Sequence, residues 1–263
     1  MQAADWDARY AAQQQWSAEP NALVAELLAD LPPGTAVDLA AGEGRHALWL
    51  AGRGWDVTAV DFSATGLARG RGRPGADRVT WVTADVLAWN APPDSLDLVL
   101  VAYLHLPEAE TTALLRRAVG WLRPGGRLLV LGHDADNVAH GVGGPQDPAI
   151  LHSVPRLAPV AELLDVDRLE QVRRETPAGT ALDTLLLGRR PVPVPGRPRP
   201  EARRERASSE EDGSSPGGSV RDVMGMGGAG GPDAERRRRR VATVVVLALL
   251  LTAAATVLSI ALG

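Results

Sequence analysis

The 263-residue chain carries 28 Arg and no Lys against 32 acidic residues, five His and no Cys, for a formal net charge of -4 at pH 7. Without cysteine, disulfides, thiolate zinc sites and cysteine nucleophiles are excluded. The charge is unevenly spread: residues 1–190 hold 17 Arg against 24 acids, and residues 191–263 hold 11 against 8, so the front part is too acidic to favour DNA or RNA.

The opening residues, Met1 to Trp6, lack a basic and apolar leader, which predicts that the front domain starts in the cytoplasm. The first 30 residues read as helix, with Leu23, Leu27 and Leu28 on one face. Residues 35–40 are apolar and β-prone and run into a Gly-rich turn, after which Leu48, Leu50 and Ala51 recur at helical spacing. Residues 55–60, 79–83, 96–102 and 127–131 read as further strands. Residues 108–122 read as a helix closed by Pro124-Gly125-Gly126. Alternating strands and helices predict a parallel sheet covered on both faces. Residues 166–172 and 181–187 flank Pro177 and Gly179 and predict an antiparallel hairpin at the sheet edge.

From Pro191 the character changes. The Pro-rich stretch that opens there is stiff and extended, and residues 208–231, rich in Ser, Gly and acid, are expected to be disordered. Five Arg at 236–240 precede 23 residues, 241–263, that bear no charge. As a helix these span roughly 35 Å, enough for a bilayer core of about 30 Å. The expected organisation is a domain over 1–190, a disordered linker over 191–235, and a basic flank with one transmembrane helix over 236–263. The Arg run places the front domain on the cytoplasmic side.

The segment Val37-Asp38-Leu39-Ala40-Ala41-Gly42-Glu43-Gly44-Arg45-His46 joins the first strand to the first helix of the sheet. Glycines there let backbone approach a ligand, and the helix N-terminus offers N–H groups. Gly42-x-Gly44-x-x-Ala47 also fits the dinucleotide fingerprint, so a nicotinamide- or flavin-dependent oxidoreductase is one alternative and a non-catalytic binding module another. Three aspartates bear on the choice. Asp38 ends the first strand, where a carboxylate suits a cationic amino-acid ligand better than a pyrophosphate. Asp61 ends the second, placed for both ribose hydroxyls. Asp85 follows the third, within reach of an adenine amino group.

These segments, together with Val60-Asp61-Phe62-Ser63, Ala84-Asp85-Val86 and Leu122-Arg-Pro-Gly-Gly126, resemble the ordered motifs of class I S-adenosylmethionine-dependent methyltransferases, and among them the tellurite-resistance and thiopurine methyltransferase-like branch. The resemblance covers residues 1–190. It implies an α/β Rossmann-like three-layer sandwich with a seven-stranded, mostly parallel sheet whose last strand is antiparallel. It implies S-adenosyl-L-methionine as cofactor, with Asp38 near its methionine end and Ala40, Gly42 and Gly44 in the turn beneath. Asp61 and Phe62 would face the ribose side, Asp85 and Val86 the adenine, and Tyr103 the sulfonium. Ala40 departs from the family pattern, which has glycine there.

The acceptor side is expected on loops beyond the C-terminal strand ends. Tyr103, His105, His133 and His140 are the candidate catalytic residues for a small-molecule acceptor, and residues 132–148, with their glycines, read as a lid. His133-Asp134 and His140 lack a third ligand, so no metal is expected. Trp6 and Trp16 are either packing residues or part of a helical cap over the cofactor.

Overall fold

The computed structural model describes residues 3–12 and 17–193. The linker and apolar tail expected beyond them lie outside the described residues, apart from 191–193. Among the described residues no helix is long and apolar enough to cross a membrane.

The chain opens with α1 (Ala3–Ala12) and α2 (Ala22–Leu28), two helices where the sequence reads as one. Pro20 stops any helix arriving from upstream, and Asn21 starts the second by accepting from Leu23 N and Val24 N. There follow β1 (Thr35–Leu39), α3 (Arg45–Gly52), β2 (Asp56–Asp61), α4 (Ala64–Arg71), β3 (Val79–Thr83), β4 (Leu96–Ala102), α5 (Glu108–Trp121) and β5 (Leu122–His133). The chain then continues through α6 (Asn137–His140), α7 (Val154–Ala161), β6 (Asp165–Thr176) and β7 (Gly179–Arg189).

The seven strands line up in the order β3-β2-β1-β4-β5-β7-β6, and β7 alone runs against the rest. The predicted hairpin forms, with its second strand inserted between β5 and β6. The inner strands are nearly continuous apolar runs, as strands covered on both faces must be. Val37, Val99, Val130 and Leu186 face a cluster with α5 and α7, while Ala36, Leu100, Leu129 and Leu185 face one with α2 and α3. Edge strand β6 is charged instead, which discourages pairing with a further strand; within it Asp167 binds Arg127 at 2.7 Å and Arg189 at 3.0 Å.

Two helices escape the sequence pattern. In α4 a Cβ on Gly66 would stand 2.9 Å from the Tyr10 ring and one on Gly70 2.5 Å from the Trp81 ring. Packing therefore demands the residues that make the segment look non-helical. Helix α7 carries Pro155 in its first turn and Pro159 inside. The expected turn at Pro124-Gly125-Gly126 lies within β5, as a register shift between Leu96–Leu122 and Leu98–Arg127 pairing.

Strand order reverses between β1 and β4, which opens a crevice at their C-terminal ends.

Candidate functional site

On one side of the crevice the groups are mostly backbone. Between β1 and α3, Ala40, Gly42 and Gly44 all adopt positive φ, at 59°, 58° and 72°. Ala40 thus keeps the left-handed backbone that its replacement for glycine puts under strain. Gly44 has a second reason to lack a side chain, because a Cβ there would lie 2.3 Å from the Trp81 ring. Asp38 is buried at the base of the turn and accepts from Ala47 N at 3.1 Å. Burial pushes its carboxyl up to about 7, against the opposing pull of the Ala47 N–H and the Arg45 guanidinium.

Asp61 is 5% exposed and uses both oxygens on backbone, taking Gly42 N at 2.8 Å and Ser63 N at 2.8 Å. Burial raises its carboxyl, opposed by those same N–H groups. Phe62, the single Phe of the chain, is half-buried and outside both core clusters. The N-terminal helix is tied to this corner: Asp7 accepts from Ser63 Oγ at 2.6 Å and from Thr65 N at 3.0 Å. Trp6 stacks on Tyr10 within α1; Trp16 lies outside the described residues. Asp85 is exposed and accepts from Leu87 N, capping the turn after β3. Val86 is 7% exposed, its side chain packs in the core, and its carbonyl accepts from Arg117 Nη2 at 3.2 Å.

On the other side, over β4, β5 and β7, side chains meet. Tyr103 follows β4 in the left-handed region, at φ 61°, a strained position for a residue with a side chain. Three bonds hold it there. Its N–H donates to Leu131 O at 2.7 Å, its hydroxyl donates to Asp183 Oδ2 at 2.8 Å, and the hydroxyl accepts from Asn21 Nδ2 at 2.9 Å. Burial and the Asp183 carboxylate both push the phenol above its usual value, so it stays protonated.

Asp183 is 1% exposed and receives Arg174 Nε at 2.7 Å as well. Burial alone would raise its carboxyl, but His133, Arg174 and Tyr103 outweigh burial and bring it to about 2. His133 Nδ1 stands 3.2 Å from Asp183 Oδ1, at ion-pair distance without a well-aligned hydrogen bond. His133 stacks on His105 at 5.5 Å, and His105 lies 5.5 Å from His152. His105 Nε2 accepts from His133 N at 3.0 Å, and burial followed by the other two imidazoles lowers its ring to about 3. His152 is lowered to about 4, again chiefly by burial.

The structure therefore joins Tyr103, His105 and His133, and leaves His140 apart, exposed at the end of α6. It adds Asn21, Arg45, His152, Arg174 and Asp183. Among the described residues no cluster of His, Asp and Glu suits a metal ion.

A family profile described as a methyltransferase domain matches residues 36–126. An uncharacterized methyltransferase of Mycobacterium tuberculosis is 34% identical over 190 residues, covering 67% of this chain and 94% of that one. The chain belongs to the S-adenosylmethionine-dependent methyltransferases. The demethylmenaquinone methyltransferase of Clavibacter sepedonicus is 38% identical over 95 residues, 36% of this chain and 39% of that enzyme, so less than half of its length is shared. Among solved structures, TehB from Haemophilus influenzae aligns with TM-score 0.56 at 16% identity, over 65% of this chain and 62% of its own. A structure concerned with conversion of a disulfide into a thioacetal during echinomycin biosynthesis aligns with TM-score 0.55 at 21% identity, over 80% of this chain and 98% of its own. At these identities the two structures share a fold with the methyltransferase and nothing finer.

The cofactor side fits S-adenosylmethionine. The cofactor has an ammonium and no phosphate, and the turn holds Asp38, buried with an opposing N–H from Ala47 alone among its hydrogen bonds. The match of Gly42-x-Gly44-x-x-Ala47 to the dinucleotide fingerprint reflects turn geometry that the two ligand classes share. The side over β4, β5 and β7 was only half visible in the sequence. Arg174 and Asp183 lie in the segment that read as a plain hairpin; the register of β7 against β5 sets Asp183 opposite His133, and that of β6 against β7 brings Arg174 to Asp183.

Proposed function

We propose that the enzyme transfers the methyl group to a small molecule bound over the C-terminal ends of β4 and β5, against Tyr103 and His133. The observation that carries this is Tyr103. A buried phenol held in a strained backbone, between Asn21 beside the cofactor turn and Asp183 on β7, is a position the fold maintains at a cost. Methyl transfer is an in-line displacement, and S-adenosylmethionine supplies an activated methyl with a good leaving group. The protein's share is proximity, alignment and exclusion of water. Asp38 and the turn of Ala40, Gly42 and Gly44 hold the methionine end, Asp61 and Phe62 the ribose side, and Asp85 with the Val86 backbone the adenine. Tyr103 borders the transfer point, and residues 132–148 close over it.

The reading includes an anchor. The five Arg and the uncharged 241–263 suit a single membrane span with the catalytic domain, residues 1–190, on the cytoplasmic side. An anchored enzyme suits a lipophilic acceptor such as demethylmenaquinone, for which the Clavibacter relative is named. The TehB fold keeps the tellurite-resistance branch as a second source of acceptor chemistry.

Incubating the full chain with methyl-labelled S-adenosylmethionine and the small-molecule and lipid fractions of a cell extract tests both parts. Label entering an organic-extractable product, with the chain staying in carbonate-washed membranes until 241–263 are deleted, supports the reading. Label reaching only protein or nucleic acid removes the small-molecule acceptor. A carbonate-soluble full chain removes the anchor.

A further inference from the structure

The five histidines have different partners, and one has a geometry the others lack. His46 is buried and accepts from Asn21 N at 3.2 Å. His105 has its Nε2 lone pair engaged by the His133 N–H. His152 Nε2 is buried without a partner, packed over Gly132, where a Cβ would stand 2.8 Å away. His140 is exposed on α6. His133 is 12% exposed and turns its Nδ1 edge to a carboxylate that is itself 1% exposed. At 3.2 Å the carboxylate favours a proton on Nδ1 without a well-aligned hydrogen bond, turns the Nε2 lone pair toward the Gly144 loop and stabilises the imidazolium that forms when Nε2 takes a proton.

The pairing is set by the sheet. In the antiparallel register of β5 and β7, residue 133 stands opposite residue 183. Tyr103 and Arg174 Nε both donate to Asp183 Oδ2, and Oδ1 faces His133 Nδ1 while also accepting from Arg174 Nη2 at 3.4 Å. The charged and titratable groups around the ring are thus Asp183 from β7, Arg174 from β6, Tyr103 and His105 after β4, and His152 ahead of α7. The Arg174 guanidinium lies 5.4 Å from the centre of the Tyr103 ring and the Arg45 guanidinium, from α3, 5.8 Å.

Resting on the reading that the acceptor lies against Tyr103 and His133, we infer that His133 and Asp183 are a general-base pair, and that the acceptor presents a phenolic or enolic hydroxyl. Thiols are partly ionised near neutral pH and need no such base, and an amine, cationic near neutral pH with a pKa of about 10, is disfavoured beside the Arg45 and Arg174 guanidinium groups. An aliphatic alcohol is a much weaker acid than a phenol and places a far larger demand on the same base. A phenol ionises at about 10 and imidazole at about 6.5, a gap that proton transfer during the displacement can span. Two guanidinium groups near Tyr103 favour the developing oxyanion. The hydroxyl proton passes to His133 Nε2 as the oxygen bonds to the methyl carbon. The carbon–sulfur bond breaks with its electron pair retained by sulfur, and the imidazolium then releases its proton to water.

The approach to Nε2 is controlled by the loop after α6. A Cβ at Gly144 would stand 2.7 Å from His133 Nε2, and Gly144 itself is exposed at φ 75°. The loop is pinned at its root, where Asn137 accepts from Leu182 N and donates to Gly143 O. Its glycine tip covers the base until an acceptor displaces it.

The test uses the full chain, S-adenosylhomocysteine binding by calorimetry, and three probes: 4-methylphenol, 4-nitrophenol and 4-methylbenzenethiol. The expected result is methyl transfer to 4-methylphenol that falls a hundredfold or more in kcat in His133→Gln and Asp183→Asn, with S-adenosylhomocysteine affinity unchanged. On 4-nitrophenol, which ionises unaided, the loss stays within tenfold, and free imidazole restores part of the His133→Gln activity. Nitrogen-resolved NMR of labelled histidine gives a second readout without ligand: His133 is protonated on Nδ1, and Asp183→Asn shifts that population toward the Nε2-protonated tautomer. Equal losses on both phenols, transfer to the thiol alone, or an Nε2-protonated His133 would each overturn the inference. Transfer to no probe, with S-adenosylhomocysteine bound, overturns the hydroxyl class and leaves the cofactor site standing. Failure to bind S-adenosylhomocysteine sinks the earlier reading as well.

Discussion

The two halves of the crevice are built by different means. The cofactor half takes its shape from one short turn, residues 38–47, whose backbone is bent at Ala40, Gly42 and Gly44 and tied by Asp38 and Asp61. The other half, where the acceptor is proposed to bind, is made of side chains that begin far apart in the chain. Tyr103, Arg174 and Asp183 meet only because β4, β5, β7 and β6 are neighbours in the sheet. Local backbone suits a ligand that every family member shares. Side chains drawn from several strands suit a ligand that differs between members, because each can change without disturbing the others' backbone.

The sharpest way to break this contrast is to remove one group from each half. Asp183→Ala leaves the Arg174 guanidinium and the Tyr103 hydroxyl without their buried partner. It is expected to cost about 3 kcal/mol and roughly 6–12 °C in melting temperature. A loss below about 1 kcal/mol in urea unfolding would show that the acceptor half is not held through this carboxylate. Asp61→Ala is expected to weaken S-adenosylhomocysteine tenfold or more, about 2 kcal/mol with the loss of a charge-assisted ribose contact and of the Gly42 and Ser63 N–H bonds. Unchanged affinity in a folded variant would remove Asp61 from the ribose site.

A pH series separates the halves without substitution. Asp38 is pushed up to about 7 by burial, and the cofactor's ammonium favours the ionised form. Affinity should therefore be full above pH 7 and fall toward tenfold per unit below it, with Asp38→Asn flattening the profile. A flat profile in the unaltered enzyme would place the ammonium elsewhere. The smallest effect is Ala40→Gly, which relieves a left-handed alanine and is expected to stabilise by about 0.5 kcal/mol with cofactor affinity retained. Destabilisation on urea unfolding would show that the Ala40 methyl is used in packing.

The same contrast explains what could be read from the sequence. The strands, their alternation with helices and the turn of Gly42 and Gly44 are local patterns, and the structure has them. Asp38 and Asp61 stand at strand ends that apolar runs mark plainly. Helix α4 was hidden because Gly66 and Gly70 answer to Tyr10 and Trp81, residues on other elements. Val86 read as a ligand contact, yet the apolar character that made it part of a motif also puts it in the core. Arg174 and Asp183 were hidden because a strand sequence states which face a residue takes and not which residue stands opposite. His140 was read beside His133 on proximity in sequence, and α6 carries it out to solvent.

The placement of β7 gives synthesis an order of consequence. The strand that carries Asp183 is the last in chain order among the described residues, and it lies in the interior of the sheet, between β5 and β6. A nascent chain that has emerged only as far as β5 already holds Asp38, Asp61 and the whole glycine turn. It has neither the Asp183 carboxylate nor the Arg174 that holds it. Loss of the last two strands would thus strip the sheet of an interior strand and of both groups that hold the Tyr103 hydroxyl side, while leaving the residues of the glycine turn in the chain.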